Sequence, residues 1–370
     1  MNRAIKYRLY PSTEQCILFT KTFGCCRKIW NLMLSDKIDS YNSTGKFGKQ
    51  TPAIYKNDHP YLKEVDSLAL ANVQINLQTA FRNCFSKSRK KKNNFPKFKS
   101  LKHSRKSYTT NNQKGTVAIT GNRYIRLPKI GKVKAKIHRI PESDWIIKSA
   151  TISQDSDGRY YASILFDIPD KAISPKSDII NTIGLDYKSD GLYTDSNGNS
   201  CDMPHYYRKS ASKLAKEQRK LKHKVISSIN YKKQQLKVSR IHKRISNQRK
   251  DFLHKLSTEI ANQYDAVCVE SLDMKAMSNK GFGNGKATLD NGYGMFINML
   301  EYKLSERGKY LVKIDKWYPS SQICSNCGFQ HKLLLSERTY RCSCGLIMDR
   351  DHNAAVNILH EGLKTLVNTI

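Results

Sequence analysis

The sequence predicts a multidomain α/β protein, and three observations indicate it. Apolar residues recur at helical spacing in the first hundred residues, alternate with polar residues over 116–167, and form short runs between helical segments from Asp178 onward. A chain of 370 residues, of which 39% are hydrophobic, can bury more than one core. Two or three domains are therefore expected.

The opening of the chain predicts a strand followed by two helices. Residues 4–10 are strand-like, and Ser12 and Gln15 have the spacing of a helix capping box. The first helix would bury one apolar face, made of Phe19, Phe23, Cys26, Trp30 and Met33. The second helix is expected over 68–85, with Gln74 and Gln78 nearer its polar face.

Residues 116–167 predict a compact β module. Gly121-Asn122 and Asp157-Gly158 are hairpin-turn dipeptides that lie between runs of period-two residues. The polar stretch 169–177, which contains two prolines, indicates the boundary after this module.

The rest of the chain alternates strands and helices, which predicts an α/β sheet. Strands are expected over 179–186, 192–194, 266–269 and 311–314, one or two long helices over 209–263, and a final helix over 353–366. The glycine-rich stretch 281–294 lacks the spacing of a phosphate-binding loop and is interpreted as a mobile loop.

The distribution of apolar residues excludes a membrane-spanning protein. No apolar run approaches the roughly 20 residues that cross a bilayer, and residues 1–10 do not resemble a secretory signal. We therefore expect a cytoplasmic protein whose cysteines stay reduced.

Positive charge dominates the composition. Lys and Arg number 65 against 31 Asp and Glu, which leaves a net charge of +34. Residues 86–106 contain ten basic and no acidic residues, and residues 207–250 contain sixteen basic residues and Glu217 as the single acid. Each run alone could be a solvated face or a linker, but both together favour binding to a nucleic acid.

The second basic run has helical spacing. Its cations recur at three- and four-residue steps, which predicts one broad basic helix face. The residues are Lys209, Lys213, Lys216, Arg219 and Lys220, and then Arg240, Lys243 and Arg244.

Two cysteine pairs predict a structural zinc site. Cys324 and Cys327 form a C-x2-C pair, and Cys342 and Cys344 form a tighter C-x-C pair. Four thiolates complete a tetrahedral shell and leave no position for a catalytic water. Disulfides or spare core cysteines are the alternative interpretation.

Three carboxylates lie where an α/β sheet places functional groups. Asp186 and Glu270 each end an apolar strand, and Asp351 begins the last helix. If they converge, they could hold two Mg²⁺ ions about 4 Å apart for phosphodiester hydrolysis. Taken singly, each acid could equally be solvated or could offset a helix dipole.

The acids and the cysteine pairs belong to short sequence motifs that follow one another in a definite order along the chain. They are Ile183-Gly184-Leu185-Asp186, Cys268-Val269-Glu270-Ser271-Leu272, Trp317-Tyr318-Pro319-Ser320-Ser321, the two cysteine pairs, and Asp349-Arg350-Asp351-His352-Asn353-Ala354-Ala355-Val356-Asn357. Upstream motifs are Arg8-Leu9-Tyr10-Pro11 and Phe95-Pro96-Lys97-Phe98-Lys99. Over nearly the whole chain, these resemble the motifs of TnpB proteins, the insertion-sequence relatives of compact type V CRISPR effectors.

The resemblance implies an architecture and a set of site residues. It implies a β-barrel wedge domain (1–10 and 107–177), a helical recognition insert (11–106), and an RNase-H-like RuvC nuclease domain (178–370) with a zinc ribbon over about 318–348. Asp186, Glu270 and Asp351 would be the RuvC carboxylates that bind Mg²⁺, with Asp349 a neighbour that is not a ligand. The basic helix residues, Gln74 and Gln78 would contact nucleic acid.

The resemblance also implies a function, which is RNA-guided cleavage of DNA. The partners would be a guide RNA from the protein's own element and a double-stranded DNA target, in a prokaryotic cytoplasm close to the nucleoid. Two alternatives remain open: a guided repressor that binds without cutting, and a DNA transposase proper. A defined co-purifying RNA would distinguish a guided protein from a transposase. The guide sequence, the target-adjacent motif and the oligomeric state are left open.

Overall fold

A computed structural model describes residues 2–86, 94–169, 174–279, 285–334 and 337–368. The chain divides into two compact units, Met1–Asp170 and Lys171–Ile370. The division falls inside the polar stretch 169–177, near its start. None of the described helices combines the length and the apolar character needed to cross a membrane.

The first unit combines an antiparallel sheet with helices. Its described strands are β1 (Asn2–Tyr10), β2 (Ser107–Asn111), β3 (Ala118–Thr120), β4 (Tyr124–Leu127), β5 (Gly131–Lys136), β6 (Ile146–Gln154) and β7 (Tyr160–Asp167). Its described α-helices are α1 (Thr13–Thr44), α2 (Tyr55–Asp58) and α3 (Ser67–Phe85). The strands pair in the order β2-β6-β7-β1-β5-β4-β3.

The sequence signals explain these elements. The Ser12–Gln15 capping box is formed at the start of α1, and Gly121 and Asn122 have the positive φ angles, 56° and 54°, of the predicted hairpin turn. The predicted apolar face of α1 is buried, and its Phe19 ring stacks on Tyr160 of β7 with ring centroids 5.4 Å apart. Strands β2 and β3 end the row of described strands, so closure of the sheet into a barrel stays a prediction.

The second unit is built on a mixed sheet. Its described strands are β8 (Thr182–Tyr187), β9 (Tyr193–Asp195), β10 (Ser200–Cys201), β11 (Ala266–Glu270), β12 (Tyr310–Ile314), β13 (Thr339–Arg341) and β14 (Ile347–Asp349). Its described α-helices are α4 (Tyr206–Lys222), α5 (Ile229–Gln263), α6 (Met274–Met277), α7 (Gly285–Asn291), α8 (Tyr293–Ser305) and α9 (Arg350–Val367). The main sheet has the order β10-β9-β8-β11-β12, in which β8, β11 and β12 are parallel and the hairpins β8-β9 and β9-β10 are antiparallel.

Helix α9 lies on this sheet, against β8, β11 and β12. Two glycines allow the close approach. A Cβ at Gly184 of β8 would collide with the Ala355 carbonyl oxygen, and a Cβ at Gly362 of α9 would collide with the Cys268 side chain of β11. The first turn of α9 is thereby held beside the carboxyl ends of β8 and β11.

Two predictions about the second unit were wrong. The stretch 281–294 is not a loop where it is described, because α7 and α8 occupy most of it and Gly292, with a φ of 66°, separates the two helices. Residues 281–284 lie outside the described part of the chain. The first strand begins at Thr182 and not at residue 179, because the Asp265 carboxylate accepts hydrogen bonds from the backbone N–H groups of Ile180 and Asn181.

Asp265 is a buried carboxylate that joins the starts of β8 and β11. It is 2% exposed, and it also accepts a 2.6 Å hydrogen bond from the Lys176 ammonium. These bonds, with Lys176 as the largest contributor, lower the pKa of Asp265 from 3.8 to about 2.

We expect Asp265→Ala to lower the free energy of unfolding by roughly 3 kcal/mol, because Lys176 and two backbone donors lose their acceptor. The folded-state pKa is depressed, so this contribution is complete above the unfolded-state pKa and disappears as the pH falls from about 4 to about 2. Urea unfolding at several pH values measures it. The exposed Asp178 provides the control, since Asp178→Ala should change stability by less than about 0.5 kcal/mol.

Candidate active site

Three carboxylates meet at one edge of the main sheet. Strands β8 and β11 are parallel, with Leu185 opposite Val269, so the next residues, Asp186 and Glu270, are neighbours. Asp351 lies in the first turn of α9, which packs against β8. All three side chains are half-buried. The structure thus brings together the three acids that the sequence analysis selected from distant segments.

Burial and neighbouring charges both affect the acids of this cluster. Burial raises the pKa of Asp186 well above its usual value, and the neighbouring carboxylates of Glu270 and Asp351 raise it further. The Arg350 guanidinium opposes this effect and lies 3.7 Å from an Asp351 oxygen. Burial also raises the pKa of Glu270. Carboxylates in this position are more easily ionised when a cation binds between them.

Ser320 is a residue of this site to which the sequence analysis gave no role. Its hydroxyl donates a 2.5 Å hydrogen bond to Glu270 Oε1, and this bond opposes the rise in the Glu270 pKa. It lies in the 3-10 helix Ser320–Gln322, within the motif that begins at Trp317. The motif marked this segment, but its contact with Glu270 depends on the fold.

Asp349, which the resemblance implies is a neighbour of the site and not a ligand, is the N-cap of the final helix. The final helix begins at Arg350 and not at Asn353, and Asp349 is its exposed N-cap residue. The Asp349 carboxylate accepts hydrogen bonds from the N–H groups of Asp351, at 2.9 Å, and His352, at 3.0 Å. Asp349 lies just outside the helix and fixes the turn that carries Asp351.

The four cysteines form a compact cluster between β12 and α9. All four sulfur atoms lie within 4.8 Å of one another, and the pairs Cys324–Cys344 and Cys327–Cys342 are each 3.6 Å apart. The backbone N–H of Leu346, followed by the Asn326 amide, lowers the pKa of Cys344 to about 6. The glycine after each pair has a positive φ. Gly328 donates its N–H to the Cys324 carbonyl at 2.9 Å, and Gly345 donates its N–H to the Cys342 carbonyl at 3.0 Å. Four convergent thiols are a suitable donor set for Zn²⁺.

Two buried asparagines attach this cysteine segment to α9. Asn353 donates to the Ile323 carbonyl at 2.7 Å and accepts the Ser325 N–H at 3.0 Å. Asn357, one turn later, donates to the carbonyls of Ser320 and Ile323. Sequence reasoning missed this role, although the motif contains two asparagines that are four residues apart and therefore lie on one helix face. The asparagines connect the cysteine cluster to the helix that carries Asp351.

The predicted basic face lies on two packed helices. The cations predicted on α4, Lys209, Lys213, Lys216, Arg219 and Lys220, are exposed, as are Arg240 and Arg244 of α5, and Lys243 is half-buried. Lys220 bonds to Glu217 at 3.0 Å, and Glu217 also accepts from Gln234 of α5. Much of this basic surface therefore remains open to solvent.

Gln74 and Gln78 belong to the first unit. They lie one turn apart on α3, where Gln74 is half-buried and Gln78 is exposed. Their contact with nucleic acid stays a prediction.

Comparison with known proteins places this chain among those encoded by insertion sequences. Three family models match: a Cas12f1-like TNB domain over residues 293–358, a family of IS605 OrfB proteins described as "Probable transposase" over 163–281, and a helix-turn-helix domain of the same proteins over 1–46. Over the described part of 1–46, the structure contains the strand β1 and the single helix α1. The structure there does not show a helix-turn-helix.

Relatives cover almost the entire chain. A Streptomyces pristinaespiralis protein named "Putative RNA-guided DNA endonuclease" is 34% identical over 98% of this chain and 90% of its own length. The Escherichia coli protein "Putative RNA-guided DNA endonuclease InsQ" is 29% identical over 98% and 93%. The chain belongs to the TnpB family.

A solved structure shows the same fold. The Cas12f1 chain in a complex with sgRNA and target DNA superimposes with a TM-score of 0.61, covering 97% of this chain and 98% of that one. The two sequences are 13% identical, so this likeness concerns the fold.

Proposed function

We propose that this protein is an RNA-guided DNA endonuclease of a transposable element, with Asp186, Glu270 and Asp351 as its catalytic residues. The observation that carries the proposal is the convergence of these three acids at one sheet edge. The names of the two relatives that match almost the whole chain support the same activity.

The acids suit divalent metal ions. Carboxylate oxygens are preferred ligands of Mg²⁺, and the pKa of Asp186 is raised first by burial and then by neighbouring carboxylates, whose ionised forms a bound cation would stabilise. Two Mg²⁺ ions held there would supply an activated water and stabilise the leaving oxygen of the phosphodiester. Ser320 orients Glu270, and the Asp349 cap positions the turn that carries Asp351.

The topology supports an RNase-H-like RuvC domain. Three antiparallel strands, β10-β9-β8, are continued by the parallel strands β11 and β12, and the acids come from β8, β11 and the helix that covers them. The cysteine cluster, with the β13-β14 hairpin, supports a zinc ribbon inserted between β12 and α9. In the first unit, the strands would form the wedge domain and α1 to α3 the recognition insert.

The partners follow from charge and from the relatives. A chain with a net charge of +34 binds polyanions, and an RNA with its DNA heteroduplex presents many phosphates whose counterions are released on binding. Base pairing would supply the sequence specificity, so the protein can contact mainly backbones. The exposed cations of α4 and α5 are the proposed contacts.

The co-purifying RNA tests the proposal against a transposase, which the family description "Probable transposase" keeps as the second candidate. Protein purified from cells that carry its element should contain a defined RNA. With that RNA the protein should cut matched DNA, and after its removal cleavage should stop. Cleavage that is unaffected by RNA removal would contradict guided activity.

The basic face gives a further prediction. We expect Gln substitutions at Lys213, Lys216 and Arg219 to weaken RNA binding and to flatten its dependence on salt by up to roughly one log-log unit per lost phosphate contact. Measurements of Kd at several salt concentrations provide the slope.

A matched control separates local contacts from net charge. Lys21, Lys255 and Lys364 pair with Glu64, Asp251 and Glu361, respectively, at 2.7, 2.8 and 3.7 Å. Their triple Gln variant loses the same three charges but should leave the slope nearly unchanged. Equal slopes for the two variants would show that α4 has no special role.

A further inference from the structure

The connection between α4 and α5 exposes three aliphatic side chains. The two helices pack against each other and are joined by residues 223–228. Val225 is 79% exposed, Ile226 is 74% exposed, and Ile229, the first residue of α5, is 72% exposed. Further along α5, by contrast, Val238 is buried. The helical pair therefore ends in an apolar surface, which is called the apolar tip and consists of Val225, Ile226 and Ile229.

Hydrogen bonds fix the backbone of the apolar tip. The Ser228 N–H donates to the Val225 carbonyl at 3.2 Å and closes a turn around Ile226 and Ser227. Ser227 has a φ of 72°, in the left-handed region that favours glycine. The Ser228 hydroxyl then accepts the Tyr231 N–H at 3.0 Å and caps α5. Because the turn is formed in advance, a partner need not order this backbone when it binds.

Cations surround the apolar tip on both helices. Residues 218–240 contain eight basic residues and no acidic residue, and all eight are exposed. They are Arg219, Lys220, Lys222, Lys224, Lys232, Lys233, Lys237 and Arg240. The acid that precedes this stretch, Glu217, already bonds to Lys220 and Gln234. The charge here complements a polyanion that also offers apolar surface.

Nucleic acid bases offer such apolar surface on their faces. Aliphatic side chains have no hydrogen-bonding groups for base edges, so they gain free energy by covering the face of a base. Those faces are accessible in loops and bulges, or at a step that an inserted apolar side chain opens. A lipid surface could also bind cations beside aliphatic residues. However, Arg240 lies roughly 16 Å along α5 from Ile229, so the basic surface extends well beyond a tip-first contact with a membrane.

We infer that the apolar tip is a wedge that packs against base faces of the RNA bound by this protein, at an unpaired base or at a step that the wedge opens. The inference rests on the proposed function and adds an apolar contact to the phosphate contacts of α4 and α5. The cations bring the RNA backbone to the helices, and the aliphatic side chains enter where the bases are accessible.

The salt dependence of RNA binding tests the wedge. The triple variant Val225→Thr, Ile226→Gln, Ile229→Gln changes exposed residues and removes no charge, so it should fold as wild type. We expect its Kd for the co-purifying RNA to rise by roughly tenfold at every salt concentration, with an unchanged slope of log Kd against log salt, because all phosphate contacts remain. An unchanged Kd, or a rise in Kd accompanied by a flatter slope, would overturn the inference.

A matched control changes the same residue types elsewhere. Ile17, Ile146 and Val367 are also exposed, and the variant Ile17→Gln, Ile146→Gln, Val367→Thr should bind RNA as wild type does. Equal losses in the two triple variants would show that the apolar tip has no special role.

Fluorescent bases then locate the contact. Single purines of the RNA are replaced by 2-aminopurine and single pyrimidines by pyrrolocytosine. We expect one position at which wild-type protein raises the fluorescence through unstacking and the tip variant does not. The absence of such a position would overturn the wedge, as would binding to phosphatidylglycerol vesicles that depends on the tip while RNA binding does not. If wild-type protein binds no defined RNA, the proposed function fails, and the inference fails with it.

Discussion

Alanine at Asp186, Glu270 or Asp351 is expected to lower the cleavage rate of guide-matched DNA by roughly a thousandfold or more, equivalent to about 4 kcal/mol in the activation barrier. Each acid helps to fix the metal ions that the hydrolysis needs. Binding of the target should largely survive, because affinity comes from strand pairing and from phosphate contacts. Cleavage of labelled duplex, measured beside gel-shift binding, separates the two effects.

The stability of these variants provides an internal check on folding. Burial and the neighbouring carboxylates raise the folded-state pKa of Asp186, so its carboxyl destabilises the metal-free protein once the pH exceeds the unfolded-state pKa. Asp186→Ala should therefore be at least as stable as wild type in a chelator. Loss of cleavage with unchanged or higher stability would show that the substitution impairs the cleavage reaction and not the folding of the protein. A variant that still cuts at the wild-type rate would show that Asp186 is not a ligand.

Asp349 supplies the matched control, provided that its helix cap is preserved. Asn is as good an N-cap residue as Asp, whereas Ala costs about 0.5–2 kcal/mol. Asp349→Asn should therefore keep the α9 turn in place and retain most of the cleavage. An Asp349→Asn variant as inactive as Asp351→Ala would mean that Asp349 itself binds metal.

The second large effect is expected at the cysteine cluster. Wild-type protein should contain about one zinc per chain, and Cys327→Ser should lose most of it, because three thiolates bind zinc far more weakly than four. Structural zinc contributes on the order of 10 kcal/mol to the folding of small zinc domains. Residues 318–348 should then unfold locally, which elemental analysis and proteolysis can detect.

The same variant should also lose cleavage, although all three acids remain. Asn353 and Asn357 bond the cysteine segment to α9, so unfolding of that segment leaves two buried amides without partners beside Asp351. The half-buried Cys84, outside the cluster, is the control, and Cys84→Ser should retain zinc and activity. Wild-type protein that is free of zinc and equally stable would contradict the assignment.

Local signals predicted much of the fold. The Ser12–Gln15 capping box, the Gly121-Asn122 turn and the short buried strand that ends at Glu270 all depend on residues close together in sequence. Such features follow from backbone preferences and periodicity. The wrong predictions concern residues whose structure depends on distant parts of the chain. Residues 179–181 are apolar enough for a strand, but a carboxylate from residue 265 takes their N–H groups.

The candidate site likewise contains residues that the sequence could mark and residues that it could not. Asp186, Glu270 and Asp351 could be selected because strand ends and ordered motifs marked them, and α9 can bring them together because Gly184 lets it approach. Ser320 and Asn357 could not be given roles, since their importance lies in contacts with residues far away in the chain. The glycines around residue 285 misled the prediction because composition there outweighed the apolar spacing of α8.

The packing of α9 on β8 also determines when, during protein synthesis, catalytic competence can arise. Asp186 emerges from the ribosome early in the second unit, but the helix that brings Asp351 onto its strand is the last described element of the chain. Contacts between such distant segments form late, after the intervening chain is available. Nascent and prematurely terminated chains can therefore carry the basic α4–α5 surface before the three carboxylates of the candidate site come together.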